Sequence, residues 1–260
     1  MRITLPLTLL SRIEDAGLNA SAPPQQRWLD GWLVRFSPGK AKRARCINAV
    51  STGRMSIREK LALCQQVFDE AKLPLIVRIT PLSEPQKLDA WLADYGLRQF
   101  EDTRVMVNPD LATLSPEGLP TGVSLQRVGH TAFAQVVGQL RGSPLAQQQA
   151  HAQRLELSPV SFEGWVLRSL EDSKVLACGQ TAAEADMVGL YDVFTASEAR
   201  NQGWARLLCG QLLERARQRG VRVGYLQVDA SNTAARAVYR RLGFGDAYAY
   251  HYRSAADHVD

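Results

Sequence analysis

The residues with the clearest chemical potential lie between 195 and 220, in the stretch TASEARNQGWARLLCGQLLERARQRG. The segment Arg200-Asn201-Gln202-Gly203-Trp204-Ala205 stands directly before apolar residues at Ala205, Leu208, Leu212 and Ala216, which form one face of a helix. The first N–H groups of a helix have no partner inside it and carry partial positive charge, so an anion is stabilised there. Gly203 and Ala205 let backbone come close to a phosphate, and Arg200 and Arg206 add charge at its rim. Neither G-x-x-x-x-G-K-[ST] nor G-x-G-x-x-G occurs, so the nucleoside triphosphate and Rossmann dinucleotide readings lack their signatures.

Other chemistries find less support. His130, His151, His251 and His258 have no metal-ligand spacing, so structural roles and no metal are expected. There is no G-x-S-x-G and no Cys–His pair that sequence can join. Cys46, Cys64, Cys178 and Cys209 are far apart without C-x-x-C, as expected of reduced thiols, and Cys209 falls on an apolar helix face. The formal charge of +5 gathers at Lys40, Lys42, Arg43 and Arg45 and at Arg215, Arg217, Arg219 and Arg222. Without interleaved aromatics these read as solvated faces, and no nucleic-acid partner is expected. No apolar run of about 18 residues exists, so no membrane-spanning helix is expected. The apolar start ends by Leu10 and meets Arg12, Glu14 and Asp15, too early for a signal peptide, so a cytoplasmic location is expected.

Around the loop, periodicity predicts the elements that would hold it. VSLQRV reads as a strand, TAFAQVVGQL and SPLAQQQAHAQRLEL as helices, and SFEGWVLRSL, KVLACGQTAA and MVGLYDVFT as strands joined by turns. After the helix ending at Gly220 come the strand VRVGYLQVD, a helix opened by Ser231-Asn232, and the strand FGDAYAYHYR. The pattern predicts a mixed sheet with helices on both faces. VNPDLATLSPEGLPTG, residues 107–122, lacks periodicity and reads as an interdomain linker. The first part echoes the second: IREKLALCQQVFDEAKLPLIVRIT has the plan of ARLLCGQLLERARQRGVRVGYLQV, and Gly96 falls where Gly243 does. The copies differ where chemistry would sit, with STGRMS in place of the RNQGWA loop and Leu92 in place of Tyr239.

Arg200 to Ala205 resembles the Q/R-x-x-G-x-G/A motif of the GNAT superfamily of acyl-CoA N-acyltransferases, and SNTAARAVYRRLGF resembles its second motif, N-x-x-A-x-x-hydrophobic-Y-x-x-x-G-F. The two motifs stand in the family's order, and the resemblance spans about residues 122–253. It implies an α/β (α+β) GNAT fold, a mixed and mostly antiparallel sheet flanked by helices, in two tandem GNAT-like domains. Residues 1–118 would be the degenerate domain and 119–260 the catalytic one. The implied reaction carries an acyl group, acetyl from acetyl-CoA, to a primary amine by direct attack in a ternary complex. The resemblance places the cofactor pyrophosphate on the loop Asn201, Gln202, Gly203, Trp204, Ala205 and Arg206. It places the pantetheine arm along Val193, Phe194 and Thr195, with Asn232 beside it, and makes Tyr239 the acid that reprotonates the CoA thiolate. The partner is an amine acceptor, small molecule or polypeptide, and the protein a monomer or homodimer. The alternative reading is an acyl-CoA-binding sensor or interaction module without catalysis.

The match departs from the family at the base. Many relatives carry a glutamate five residues before the asparagine, where this chain has Gln227, an amide that accepts no proton at neutral pH. Asp229, Asp192 and a water chain remain as alternatives, and Trp28, Trp32 and Phe36 are expected to line the acceptor cleft.

Overall fold

A computed structural model describes residues 2–38 and 41–255; Lys40 and His258, named above, lie outside the described residues. In chain order the elements are α1 (Leu7–Ala20), β1 (Gln26–Leu29), β2 (Trp32–Arg35), β3 (Ile47–Ala49), α2 (Ile57–Glu70), β4 (Val77–Ile79), α3 (Leu88–Asp94) and β5 (Arg98–Asn108). There follow β6 (Val123–Val128), α4 (His130–Arg141), α5 (Leu145–Glu156), β7 (Phe162–Ser169), β8 (Val175–Glu184) and β9 (Met187–Thr195). The chain continues through α6 (Trp204–Gln218), β10 (Val223–Asp229), α7 (Thr233–Arg241) and β11 (Gly245–Ser254).

The chain divides into two compact units. The larger holds Val105–Val228 and Asn232–Ala247 with the chain's start as far as Ala20; the smaller holds Ser21–Arg104, Asp229–Ser231 and the chain from Tyr248 onward. This division does not follow the expected boundary at residue 118. The stretch expected as a linker is packed into the larger unit. Leu111 is fully buried in the larger unit's core and its N–H donates to the Arg222 carbonyl at 2.8 Å, while Gln211 Nε2 donates to the Glu117 carbonyl at 2.7 Å. One buried leucine and one carbonyl contact pin the segment, and its lack of periodicity concealed them.

In the larger unit β6, β7, β8 and β9 form an antiparallel meander, and β9 continues to β10 in parallel. Strand alternation sends neighbouring residues to opposite faces. Leu167, Ala177, Val188 and Leu190 pack with Leu208, Leu212, Leu213 and Ala216 of α6 and with α7, whereas Val166, Cys178 and Ala182 pack with Phe133 and Val137 of α4, Leu155 of α5 and Ala20 of α1. Full burial of each such leucine stabilises by roughly 1.5–3 kcal/mol, which is why the amphipathic helices dock where their stripes dictate.

In the smaller unit the order is β1-β2-β3-β4, with β3 and β4 parallel, and His251–Arg253 of β11 pairing antiparallel with β4. Its core includes Trp32, Ile47, Leu61, Phe68 and Leu92. Trp32 is therefore not a cleft-lining residue: it is fully buried, with the Lys60 ammonium 4.5 Å from the centre of its ring, while Trp28 is exposed. The internal echo survives as geometry. At the end of α3 the Leu97 N–H donates to the Leu92 carbonyl around Gly96 (φ +96°), and at the end of α7 the Phe244 N–H donates to the Tyr239 carbonyl around Gly243 (φ +83°). Both positive φ values favour glycine, which has no β-carbon to clash.

Candidate active site

Two irregularities in the larger unit create the site. The first is in β9. Its parallel pairing with β10 covers only Met187–Leu190 against Val223–Leu226, so beyond Leu190 that edge of β9 leaves the ladder. On the other edge Cys178 pairs with Phe194 but Gln180 pairs with Tyr191, so Gly179 faces both Asp192 and Val193 in a bulge. Asp192 takes φ +47° there. The bulge turns Tyr191 and Asp192 towards α4 and α5, while Val193 packs on the α6 side.

The second is the start of α6. Gly203, with φ +86°, precedes the helix and no side chain caps it, and Asn201 also takes a positive φ of +62°. Gln202 is pinned by its own loop: Nε2 donates to the Glu198 carbonyl at 3.2 Å and Oε1 accepts from Trp204 Nε1 at 3.0 Å. Among the described residues no protein acceptor meets the N–H groups of Asn201 to Arg206. A β-carbon added to Gly203 would have nothing within 4 Å, so the concavity is open. Arg200 lies over the Phe194 ring at 5.8 Å, and Arg206 pairs with Glu117 at 2.7 Å. Oriented amides in such a concavity are of the kind that can receive an anion.

Tyr239 sits on α7 with its ring edge-on to Phe244 at 6.2 Å. Burial, and secondarily the neighbouring Cys209, push its phenol well above the ordinary value, so it stays protonated. Its hydroxyl has no hydrogen-bond partner among the described residues. Asn232 is the N-cap of α7, and its Oδ1 accepts from the Ala235 N–H at 3.1 Å. Cys209 is a core thiol that burial pushes up to about 12.

The carboxylates weighed as bases are both engaged. Asp192 accepts from Gln180 Nε2 at 2.6 Å and Arg141 Nη2 at 2.9 Å. Burial is the largest single influence on Asp192 and works to raise it, but the His151 contact, Arg141 and Arg154 together hold it well below the usual carboxylate range. Asp229 accepts from the Ser231 N–H at 2.7 Å and from its hydroxyl, and these bonds lower it too. Gln227 lies against α1, its Nε2 2.9 Å from where Gly17 would carry a β-carbon. Sequence reasoning missed His151 of α5, whose Nε2 stands 3.2 Å from Asp192 Oδ2 and whose ring meets Phe133 edge-on at 6.3 Å. No spacing signal could have found it, because its partner lies on a distant strand. His130 Nε2 is 3.1 Å from the Phe162 carbonyl and His251 Nε2 is 2.9 Å from Asp89 Oδ1, structural contacts as expected. Among the described residues no cluster of His, Cys, Asp and Glu could hold a metal, and no helix is long and apolar enough to cross a membrane.

Residues 10–253 match the model of a family described as probable histone acetyltransferase Rv0428c C-terminal. Over 77 residues the chain is 34% identical to the [Ribosomal protein bS18]-alanine N-acetyltransferase of Escherichia coli (strain K12), covering 30% of this chain and 52% of that protein. The chain thus spans about half the length of the curated relatives it matches. Its fold is similar to that of a GCN5-related N-acetyltransferase from Kribbella flavida, with TM-score 0.71, 18% identity and 96% of each chain covered. It is similar also to a tandem GNAT protein from the clavulanic acid biosynthesis pathway, with TM-score 0.64, 16% identity, and 77% of this chain and 70% of that one covered.

Proposed function

This chain belongs to the Rv0428c C-terminal acetyltransferase family, a GNAT-superfamily family of N-acetyltransferases, and on that premise we propose that it transfers acetyl from acetyl-CoA to a primary amine by direct attack. The observation that carries the reading is the cradle of N–H groups from Asn201 to Arg206, empty of any protein acceptor, at the end of a strand whose edge has left the sheet. The loop amides bind the pyrophosphate, with Arg200 and Arg206 at its rim. The open edge at Val193, Phe194 and Thr195 pairs with the pantetheine arm as an extra strand would, and an N–H there stabilises the oxyanion as the carbonyl becomes tetrahedral. Asn232 spends its oxygen on the helix cap, so its contribution is to shape the start of α7 beside that arm.

Tyr239 gives its proton to the departing thiolate. Burial raises its pKa, so the phenol carries the proton it has to give. The relative named above acts on an alanine of a ribosomal protein, which makes polypeptide N-termini the first acceptors to try beside small amines. The test is titration calorimetry with acetyl-CoA, together with release of free CoA against a panel of amines, on wild type and Tyr239→Phe. Turnover by the wild type, falling about 10²-fold in the variant with acetyl-CoA affinity kept, supports the assignment. Tight binding with no turnover on any amine would make the protein a binding module. Absence of binding would overturn the reading altogether.

A further inference from the structure

We propose that His151, held by Asp192 on the α4–α5 face of β9, accepts the proton that the acceptor amine loses. The inference rests on the acetyltransferase reading above and supplies the base that reading lacks. The acid and the base of such a transfer must lie on different sides of the carbonyl carbon, one at the leaving sulfur and one at the attacking nitrogen. Tyr239 belongs to the cluster on the α6–α7 face of the sheet, and His151 lies on the α4–α5 face beside Asp192 and Phe133. The bulge separates the two faces at this point: it turns Asp192 to the α5 side beside Tyr191, and turns Val193 to the α6 side.

The other groups on the acceptor face cannot take a proton. The Asp192 carboxylate is committed to Gln180, Arg141 and His151. The Tyr191 and Tyr225 hydroxyls share a hydrogen bond at 2.9 Å, and phenols are acids rather than bases at neutral pH. Gln227 is an amide. His151 differs from all of these. Its Nε2 stands 3.2 Å from the Asp192 carboxylate and meets no other acceptor among the described residues, an arrangement that favours the proton on that nitrogen and leaves Nδ1 as the acceptor. Nδ1 has no hydrogen-bond partner among the described residues, and unlike Nε2 it is not sealed from solvent. The charged and titratable groups facing the pair are Arg141 of α4, Arg154 of α5, and Cys178 of β8 beside Asp192.

The proton count closes. The amine nitrogen bonds to the acetyl carbon, the C–S bond breaks, and the sulfur takes the Tyr239 proton. His151 Nδ1 takes the surplus proton from nitrogen and later releases it to solvent, from which Tyr239 is replenished. Asp192 is a positioning residue in this scheme, since it acts only through the imidazole.

The experiment compares wild type, His151→Gln and Asp192→Asn, using the best amine from the panel. The ratio of wild-type to variant kcat/KM is followed from pH 5 to 9, because the acceptor's own ionisation cancels in the ratio. Expected for His151→Gln is a kcat about 10²-fold lower, unchanged acetyl-CoA affinity, loss of the imidazole-dependent limb, and partial recovery of turnover in His151→Ala with added imidazole. Asp192→Asn should shift that limb rather than abolish it. A His151→Gln enzyme within about threefold of wild type and with the same pH profile overturns the inference and leaves the acetyltransferase reading standing. So does a variant that loses acetyl-CoA affinity along with turnover, since that would mark a residue that only shapes the bulge. Wild type that fails to bind acetyl-CoA removes the reaction itself and overturns both.

Discussion

Two loop–helix junctions of this molecule solve one electrostatic problem in opposite ways. Before α2, in the smaller unit, the backbone N–H groups of Arg54 and Met55 donate to the Asp30 carboxylate at distances of 2.8 to 2.9 Å. Ser56 and Glu59 close a capping box over the first turn, and the fully buried Lys60 lies 3.6 Å from Asp30 and hydrogen-bonds the Thr52 carbonyl. Before α6, in the larger unit, neither carboxylate nor capping box is present, and six successive residues keep their N–H groups without a protein acceptor. The smaller unit has built its own anion into the place where the larger one leaves an anion to be supplied. One well-placed aspartate thus answers the amides before α2, while the amides before α6 keep an unmet demand for charge.

The sharpest way to break this comparison is at the paired glycines. A β-carbon on Gly53, at φ +69°, would overlap the Asp30 carbonyl and carboxylate, whereas one on Gly203, at φ +86°, meets nothing within 4 Å. Gly53→Ala should therefore combine backbone strain with a clash that the Asp30 turn cannot relieve, at about 3 kcal/mol of stability. Gly203→Ala should carry only the left-handed strain, about 1 kcal/mol, while narrowing the approach of a phosphate and weakening acetyl-CoA binding. Chemical denaturation of each variant beside calorimetry with acetyl-CoA checks both halves. Equal destabilisation by the two substitutions would mean that the cradles are filled alike.

A smaller effect tests the internal anion directly. The Met55 and Arg54 backbone N–H groups, and secondarily Lys60, hold the Asp30 carboxyl below its ordinary value. A carboxyl depressed on folding contributes stability that is present above its unfolded value, near pH 4, and is lost as pH falls through the lower folded value. Protection of the Arg54 and Met55 amides, relative to their intrinsic exchange rates, should fall below about pH 4 in wild type, and Asp30→Asn should remove that dependence. In Asp30→Ala, melting should fall by a few degrees, and added sulfate should restore protection at those two amides while leaving wild type unchanged. Failure of sulfate to act would show that the loop, once emptied, no longer holds its amides together.

Which of these features could be read from the sequence follows from how local their causes are. The RNQGWA loop, the α6 stripe, the Asn232 cap and the matching turns at Gly96 and Gly243 were legible, because each is written within one turn of a helix. Asp30 was not, since it reaches the loop from a β-turn 24 to 25 positions earlier. The Asp192–His151 pair depends on a bulge that strand periodicity does not announce, and α1 joins the larger unit through Arg12 to Asp186 and Asn19 to Glu184, contacts between distant parts of the chain. The open loop before α6 was therefore readable, and the bulged α4–α5 face of β9 was not.

The smallest expected effect concerns the rim of the open cradle. Arg206 pairs at 2.7 Å with Glu117, but both side chains are well exposed, at 39% and 59%. An exposed pair of this kind contributes about 0–1 kcal/mol, so Glu117→Gln should leave stability within about 0.5 kcal/mol of wild type. The same change frees a guanidinium beside six unpartnered amides, and acetyl-CoA should then bind about two- to threefold more tightly at low salt. That gain should vanish near 0.5 M salt, where exposed charges are screened beyond a few ångströms. A gain that persists in high salt would mean that Arg206 touches the phosphates at close range; no gain at all would mean that Glu117 already leaves it free to do so.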